Sequence, residues 1–364
     1  MTQRSKLEEA AQRIEELDRE ILRTIERRSR VVADLLTMRS DSSKVAPILD
    51  PARLRALEQS VTAPFPATSV RNIFSAIDAA CRVYEIAPKV ACVGAEGGFP
   101  WIAAMAHFGP QARLTRAETV DRALEEVARS QADFAVVTYE TVREGLAFAT
   151  IQAIAALDLK LVGEREVTHA LSLVSKTGIA TDLDRVYATS LHHALAEAYL
   201  AAHHPKATVL HVRSAIMAAD LANENHGAAA LVPRGAFFGD LRTIAENVAD
   251  EGEVKIRYGV VSKLPMSRTG ADATAVLFSV HDRPGALHDV LQAFKEKSCN
   301  LRRIQSRAVP GEGWEYVFYV EVGGHVTDRQ VVAALEGVKQ KARMVKIVGS
   351  FPLDVVDAPV SSDR

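Results

Sequence analysis

The stretch Lys89-Val90-Ala91-Cys92-Val93-Gly94-Ala95-Glu96-Gly97-Gly98-Phe99 decides the fold. A short apolar run ends in glycine, a glycine-rich turn follows, and an alanine-rich run begins. That order is strand, turn and helix. Downstream the texture repeats. Residues 134–137, 159–162, 185–188 and 228–231 read as buried strands alternating with alanine-rich helices, which predicts an α/β architecture over 88–266. A polar linker at 263–272, with Pro265, Ser267 and Gly270, closes this segment.

Upstream of Pro88 the pattern is helical throughout. Leu7, Ile14, Leu17, Ile21, Ile25, Val31, Val32 and Leu35 recur at threes and fours and predict one long helix over 6–39. So long a helix cannot bury its stripe within so short a segment, so it calls for a partner helix from a second copy. A second helix is expected over 51–60, with Asp50 as N-cap and Pro51 in the first turn. A third is expected over 68–84.

Past the linker, a strand over 273–280, a helix over 286–297, strands over 301–308 and 315–322 joined by a turn at 310–313, a helix over 328–341 and a strand over 344–349 give the order βαββαβ. This is a ferredoxin-like pattern. The expected organisation is therefore α + α/β + α/β, with segments 1–87, 88–266 and 272–355 and a small polar tail, 356–364.

Bulk properties exclude several classes. The 364 residues carry a net charge of −2, with 25% charged and 48% hydrophobic residues, and give no reason to expect nucleic acid or an anionic membrane as partner. The three cysteines, Cys81, Cys92 and Cys299, have no CxxC or paired spacing, which reads as a reduced compartment. No stretch approaches 18 consecutive apolar residues and the N-terminus is charged, so a cytoplasmic protein is expected. His192, His193, His203 and His204 lack coherent ligand spacing with acidic partners, and neither metal nor cofactor is expected.

One residue stands out from periodicity. Arg28 lies seven residues after Ile21 and interrupts the apolar seam, and Arg39 faces the same way three turns later. An arginine there either holds an anion, pairs with a glutamate, or snorkels to the helix edge. The glycine-rich turn likewise has two readings: backbone N–H groups offered to a carboxylate, or a purely structural turn.

Arg283-Pro284-Gly285-Ala286-Leu287, with Asn300-Leu301, Gln305-Ser306-Arg307 and Trp314-Glu315-Tyr316-Val317-Phe318, resembles the phenylalanine-binding ACT domain. With the helical and α/β segments before it, the whole chain resembles the bifunctional chorismate mutase/prephenate dehydratases of phenylalanine biosynthesis, the P-proteins. The resemblance implies an intertwined helical dimer, a two-lobed dehydratase-like domain with a cleft, and an ACT regulatory domain. It implies a chorismate- or prephenate-like dicarboxylate as substrate, L-phenylalanine or another amino acid as effector, and a homodimer or homotetramer.

In the mutase-like segment the resemblance assigns Arg28 to a substrate carboxylate. Arg39 stands for a lysine near the ether oxygen, Asp50 and Arg53 for an Asp and an Arg of the second helix, Glu85 for a glutamine and Cys81 for a serine. Two positions depart: Ala11 stands for an arginine that reaches across the dimer and Leu54 for a glutamate. Arg4 or Arg13 would be a poorly directed substitute.

In the dehydratase-like cleft, the family's Thr-Arg-Phe becomes Ile256-Arg257-Tyr258, so the position of the key hydroxyl is a hydrocarbon. Glu-Asn-Ser becomes Glu140-Thr141-Val142, keeping Glu140 and Gly145. The first turn loses a threonine and a serine, and a His-Pro-Gln stretch becomes Thr189-Ser190-Leu191-His192-His193. In the ACT-like segment Gly285, Ala286, Leu287, Asn300, Leu301, Ser306 and Arg307 persist, while Gln305 and Ala308 replace a glutamate and a proline. Lost hydroxyls and amides beside retained Arg28, Glu140 and Arg257 leave three expectations open. They are the family's two activities, altered chemistry on prephenate or another chorismate-derived acid such as non-aromatising decarboxylation, and ligand binding without turnover.

Overall fold

The structure, a computed structural model, describes residues 3–37, 56–62, 65–66, 69–70, 73–74, 77, 81 and 87–353 apart from 110–111, 142–144, 182, 235–239, 251 and 310–314. Helix α1 spans Gln3–Thr37. It contains no glycine or proline, and Glu15 with Arg19 and Arg13 with Glu16 pair along its surface at helical spacing. Its apolar stripe is open, with Ile14 60% and Ile21 57% exposed. Residues 56–59 are helical within the second expected helix, and positions 50–55 lie outside the described residues.

The α/β segment folds as two lobes. In the first, β1 (Lys89–Val93), β2 (Arg113–Ala117), β3 (Phe134–Thr141), β5 (Lys160–His169) and β11 (Val254–Ser262) form a sheet in the order β2-β1-β3-β11-β5, with the short β4 (Gly145–Leu146) paired to β3. Helices α2 (Phe99–Phe108), α3 (Val120–Ala128) and α4 (Phe148–Ala156) cover it. The side chain of Thr119 accepts from Arg122 N at 3.1 Å and so caps α3.

The second lobe carries β6 (Leu171–Ser175), β7 (Arg185–Ala188), β8 (Thr208–His211), β9 (Ala228–Pro233) and β10 (Arg242–Glu246) in the order β10-β6-β9-β7-β8. Its helices are α5 (Ser190–Leu195), α6 (Glu197–His203) and α7 (Ala215–Glu224), of which α5 and α7 are capped by Thr189 and Ser214. The chain passes between lobes at Ala170 and again between β10 and β11. Sequence periodicity does not reveal β2, whose Arg-Leu-Thr-Arg-Ala has little apolar content and lies on the sheet edge. Nor does it reveal β11.

The third segment is the expected βαββαβ: β12 (Asp272–Ser279), α8 (Ala286–Glu296), β13 (Leu301–Val309), β14 (Glu315–Gly323), α9 (Arg329–Lys341) and β15 (Met344–Pro352), in the sheet order β13-β14-β12-β15. Strand alternation gives its sheet two apolar faces. Val276, Phe278, Phe318 and Val320 pack on Val290, Phe294 and Leu335 of its own helices. Ala275, Leu277, Tyr319 and Phe351 of the opposite face join Leu124, Ile151, Ile154 and Leu161 of the first lobe in one core. Each fully buried large side chain contributes roughly 1.5–3 kcal/mol, and here those side chains come from both units. At the edge, Gly349 comes so close to the Leu161 backbone that a β-carbon there would collide with it. No helix among the described residues is long and apolar enough to cross a membrane.

Candidate active site

Strands β3, β11 and β5 run side by side, with β11 antiparallel to both neighbours. In register, Ile256 opposes Thr141 and Val167, Arg257 opposes Glu140 and Glu166, and Tyr258 opposes Thr138 and Arg165. The β3 register shifts between the Arg257–Glu140 and Tyr258–Thr138 pairs, leaving Tyr139 as an extra residue. A bulge of this kind re-aims the side chains that follow it. Here it turns Glu140 to the side of Tyr139 and Arg257, and Thr141 to the side of Ile256. The sheet therefore presents two chemically different faces.

The face of Ile256 meets the junction between the lobes. Tyr258 is buried and its hydroxyl shares a 2.6 Å hydrogen bond with His169 Nε2. The Thr138 side chain also reaches the phenol. The His169 ring stacks on Phe99, with centroids 3.6 Å apart, and His192 meets the same phenylalanine edge-on. Burial pushes the Tyr258 phenol well up. Burial, then the neighbouring His192, holds His169 down at about 4, and burial holds His192 at about 4. Both imidazoles are neutral at pH 7, and His192 Nδ1 lies 3.3 Å from the Leu231 carbonyl. Ile256 itself packs against the apolar core that the two lobes share.

The glycine-rich turn closes this junction. Gly98 is the N-cap of α2 with Pro100 in the first turn. Gly97 has φ +75°, and a β-carbon there would lie 3.1 Å from Ile216 Cγ1 of the second lobe. The turn is packed against the start of α7, which supports its structural reading. Among the histidines, His193 Nδ1 and His211 Nε2 lie 3.0 Å apart, and His203 Nδ1 lies 3.0 Å from the Tyr199 carbonyl.

The other face carries charge. Arg257 pairs with Glu140, Glu164 and Glu166 at 3.6, 3.3 and 3.8 Å. Arg303 of β13 donates to Glu140 at 2.6 Å and to Glu321 of β14 at 3.2 Å. Tyr139 donates to Glu164 at 2.5 Å and Tyr319 to Glu321 at 2.8 Å. Burial raises the Glu140 and Glu164 carboxyls, with Arg303 the chief opposing charge on the first and Arg257 on the second. Glu140 thus joins the third segment through Arg303, with Arg257 beside it, while Thr141 and Ile256 lie on the face of the lobe junction. Sequence reasoning missed Tyr139, Glu164, His169, Arg303 and Glu321; a lone His or Glu in a strand gives no signal of its own.

Of the mutase-like candidates, Arg28 is partly buried on α1, Ala11 is exposed and Cys81 is buried, whereas Arg39, Asp50, Arg53, Leu54 and Glu85 lie outside the described residues. In the ACT-like segment Gly285, φ +79°, begins α8, where Ala286 is buried and Leu287 packs partly against the segment's core. The Asn300 carbonyl accepts from Gly323 N, and Leu301 joins the same core. Ser306 and Arg307 are exposed. Gln305 reaches the α/β segment instead, its Oε1 accepting from Leu146 N at 3.1 Å.

Comparison with known proteins supplies the family. The prephenate dehydratase model matches residues 90–265 and the ACT domain model residues 274–340. The bifunctional chorismate mutase/prephenate dehydratase of Aquifex aeolicus is 30% identical over 355 residues, covering 95% of this chain and 98% of that protein. The chain belongs to the bifunctional chorismate mutase/prephenate dehydratase family. The protein of the same description from Pseudomonas aeruginosa is 28% identical and spans 98% of this chain and 100% of its own length. A prephenate dehydratase from Arthrobacter aurescens, solved in complex with L-Phe, superposes with a TM-score of 0.58 at 29% identity, covering 73% of this chain and 90% of that one. The dehydratase-like and ACT parts of this family member are thus recognisable in sequence and in three dimensions.

Proposed function

We propose that this chain serves phenylalanine biosynthesis as a divergent bifunctional chorismate mutase/prephenate dehydratase. Its helical segment takes chorismate and its α/β cleft takes prephenate, with a slow dehydration step. Family membership along 95% of the chain supports the substrate class. One observation carries the altered chemistry: the lobe-junction face of β11 offers Ile256, and the nearby Tyr258 phenol is engaged by His169 and Thr138.

Dehydration of prephenate breaks the ring–carboxylate bond, sends that electron pair into the ring and expels hydroxide. The departing oxygen needs a proton, a contribution of about 10²–10⁴ in rate. A hydrocarbon supplies none. A second outcome needs no acid at the hydroxyl: the ring–carboxylate bond breaks, carbon dioxide leaves, and the electron pair takes a proton from solvent water at a ring carbon, so the hydroxyl stays in place.

Mutase chemistry needs only cations and donors around two carboxylates and an ether oxygen. Arg28 is the described candidate, and Arg39, Asp50, Arg53 and Glu85 complete the proposed set. The open stripe of Ile14, Leu17 and Ile21 on α1 supports a homodimer built on that helix. The ACT segment is proposed to take L-phenylalanine or a related amino acid near Gly285–Leu287 and Asn300–Leu301.

Chorismate and prephenate should be supplied separately to the full chain and the products identified by mass spectrometry. Prephenate from chorismate, with slow phenylpyruvate or a non-aromatic decarboxylation product from prephenate, supports the proposal. Ligand-induced thermal stabilisation without any turnover would replace it with a binding role.

A further inference from the structure

Two residues of β13 reach out of the ACT segment into the α/β segment. Arg303 and Gln305 are two positions apart, so strand alternation sends them to one side. Arg303 donates to Glu140, the residue that the bulge turns out of the Ile256 face. Gln305 accepts from the Leu146 amide, on the return strand of the same hairpin, and its Oε1 lies 3.4 Å from where a β-carbon on Gly145 would sit. The ACT segment thus touches both arms of the β3–β4 hairpin.

We propose that Arg303 and Gln305 are positioning residues, forming a two-point latch that fixes the β3–β4 hairpin and so sets where Thr141 and Ile256 stand in the lobe junction. Charge explains the Arg303 half. Glu140, Glu164 and Glu321 gather around Arg257 and Arg303, and the side chains of Glu321 and Glu164 are only 3% and 9% exposed. Without Arg303, Glu321 loses its arginine partner, Arg257 alone faces Glu140, Glu164 and Glu166, and Glu140 gains by swinging towards water. That movement draws on Thr141, its neighbour, and on Ile256, the cross-strand partner of Thr141. Backbone hydrogen bonding explains the Gln305 half. Leu146 is buried, and its amide needs an acceptor, which the partner segment supplies.

The latch is independent of which acid the cleft takes, and its test uses no substrate. Hydrogen–deuterium exchange of the full chain is followed by mass spectrometry for wild type, Arg303→Met, Arg303→Lys, Gln305→Leu and Gln305→Glu. In Arg303→Met and Gln305→Leu, peptides covering 138–146 and 254–258 should exchange about tenfold faster or more. Peptides from α9 and β9 should stay at wild-type rates. Arg303→Lys and Gln305→Glu, which keep a cation and an acceptor, should protect the hairpin almost as wild type does. Acceleration confined to β13 and β14, acceleration spread evenly over the chain, or none at all overturns the proposal.

Discussion

The hydroxyl of Tyr258 lies 2.6 Å from Nε2 of His169, on the strand face that also carries Ile256. The phenol is buried, and its high pKa makes it a reluctant acid. His169 is stacked on Phe99 and neutral at pH 7. Phe99 in turn meets His192 of the second lobe edge-on, which carries the contact across the junction.

The neutral imidazoles impose a pH dependence. His192 has its pKa lowered from 6.5 to about 4 by burial, so the unfolded chain binds more protons than the native one between these values. Stability is complete above about pH 6.5 and falls as pH drops towards 4, with His192 contributing about 3 kcal/mol to the loss. His169, shifted in the same direction, steepens it. Urea unfolding between pH 7 and 4.5 measures the slope, which His192→Gln should flatten.

Gly97→Ala should destabilise the contact between lobes by about 1–3 kcal/mol, because the new methyl meets Ile216 at a positive φ. Paired with Ile216→Ala, which removes Cγ1, it should recover part of that loss. A double-mutant cycle by chemical denaturation reads the coupling, and strict additivity would mean that the two residues do not meet.

Arg257→Met removes a cation shared by Glu140, Glu164 and Glu166. Leaving buried carboxylates without it should cost about 3–5 kcal/mol. A guanidinium chloride midpoint close to wild type would show instead that water reaches those groups.

Ile21→Glu places a charge in the open stripe of α1. If a second copy covers that stripe, sedimentation equilibrium should show the wild-type oligomer shifting to monomer. An unchanged mass would place the dimer contact elsewhere.

These residues show how far the sequence could be read. Runs such as Lys89–Val93 and the βαββαβ order announce themselves because apolar periodicity is local. The bulge at Tyr139 is not local: one extra residue reverses the face of Glu140, and only pairing with β11 reveals it. That is why Glu140, grouped by motif with Ile256, lies on the opposite face, where strand alternation already puts Arg257. The ion pair between Glu140 and Arg303 spans 163 residues, and neither residue signals the other.

The most direct measurement is phenylpyruvate formation from prephenate by the wild type and by Tyr258→Phe, side by side. With Ile256 on the working face and the phenol held by His169, phenylpyruvate should form slowly in both, at indistinguishable rates. Fast formation by the wild type that disappears in Tyr258→Phe would contradict the account, for it would mean that the phenol delivers the proton that residue 256 cannot.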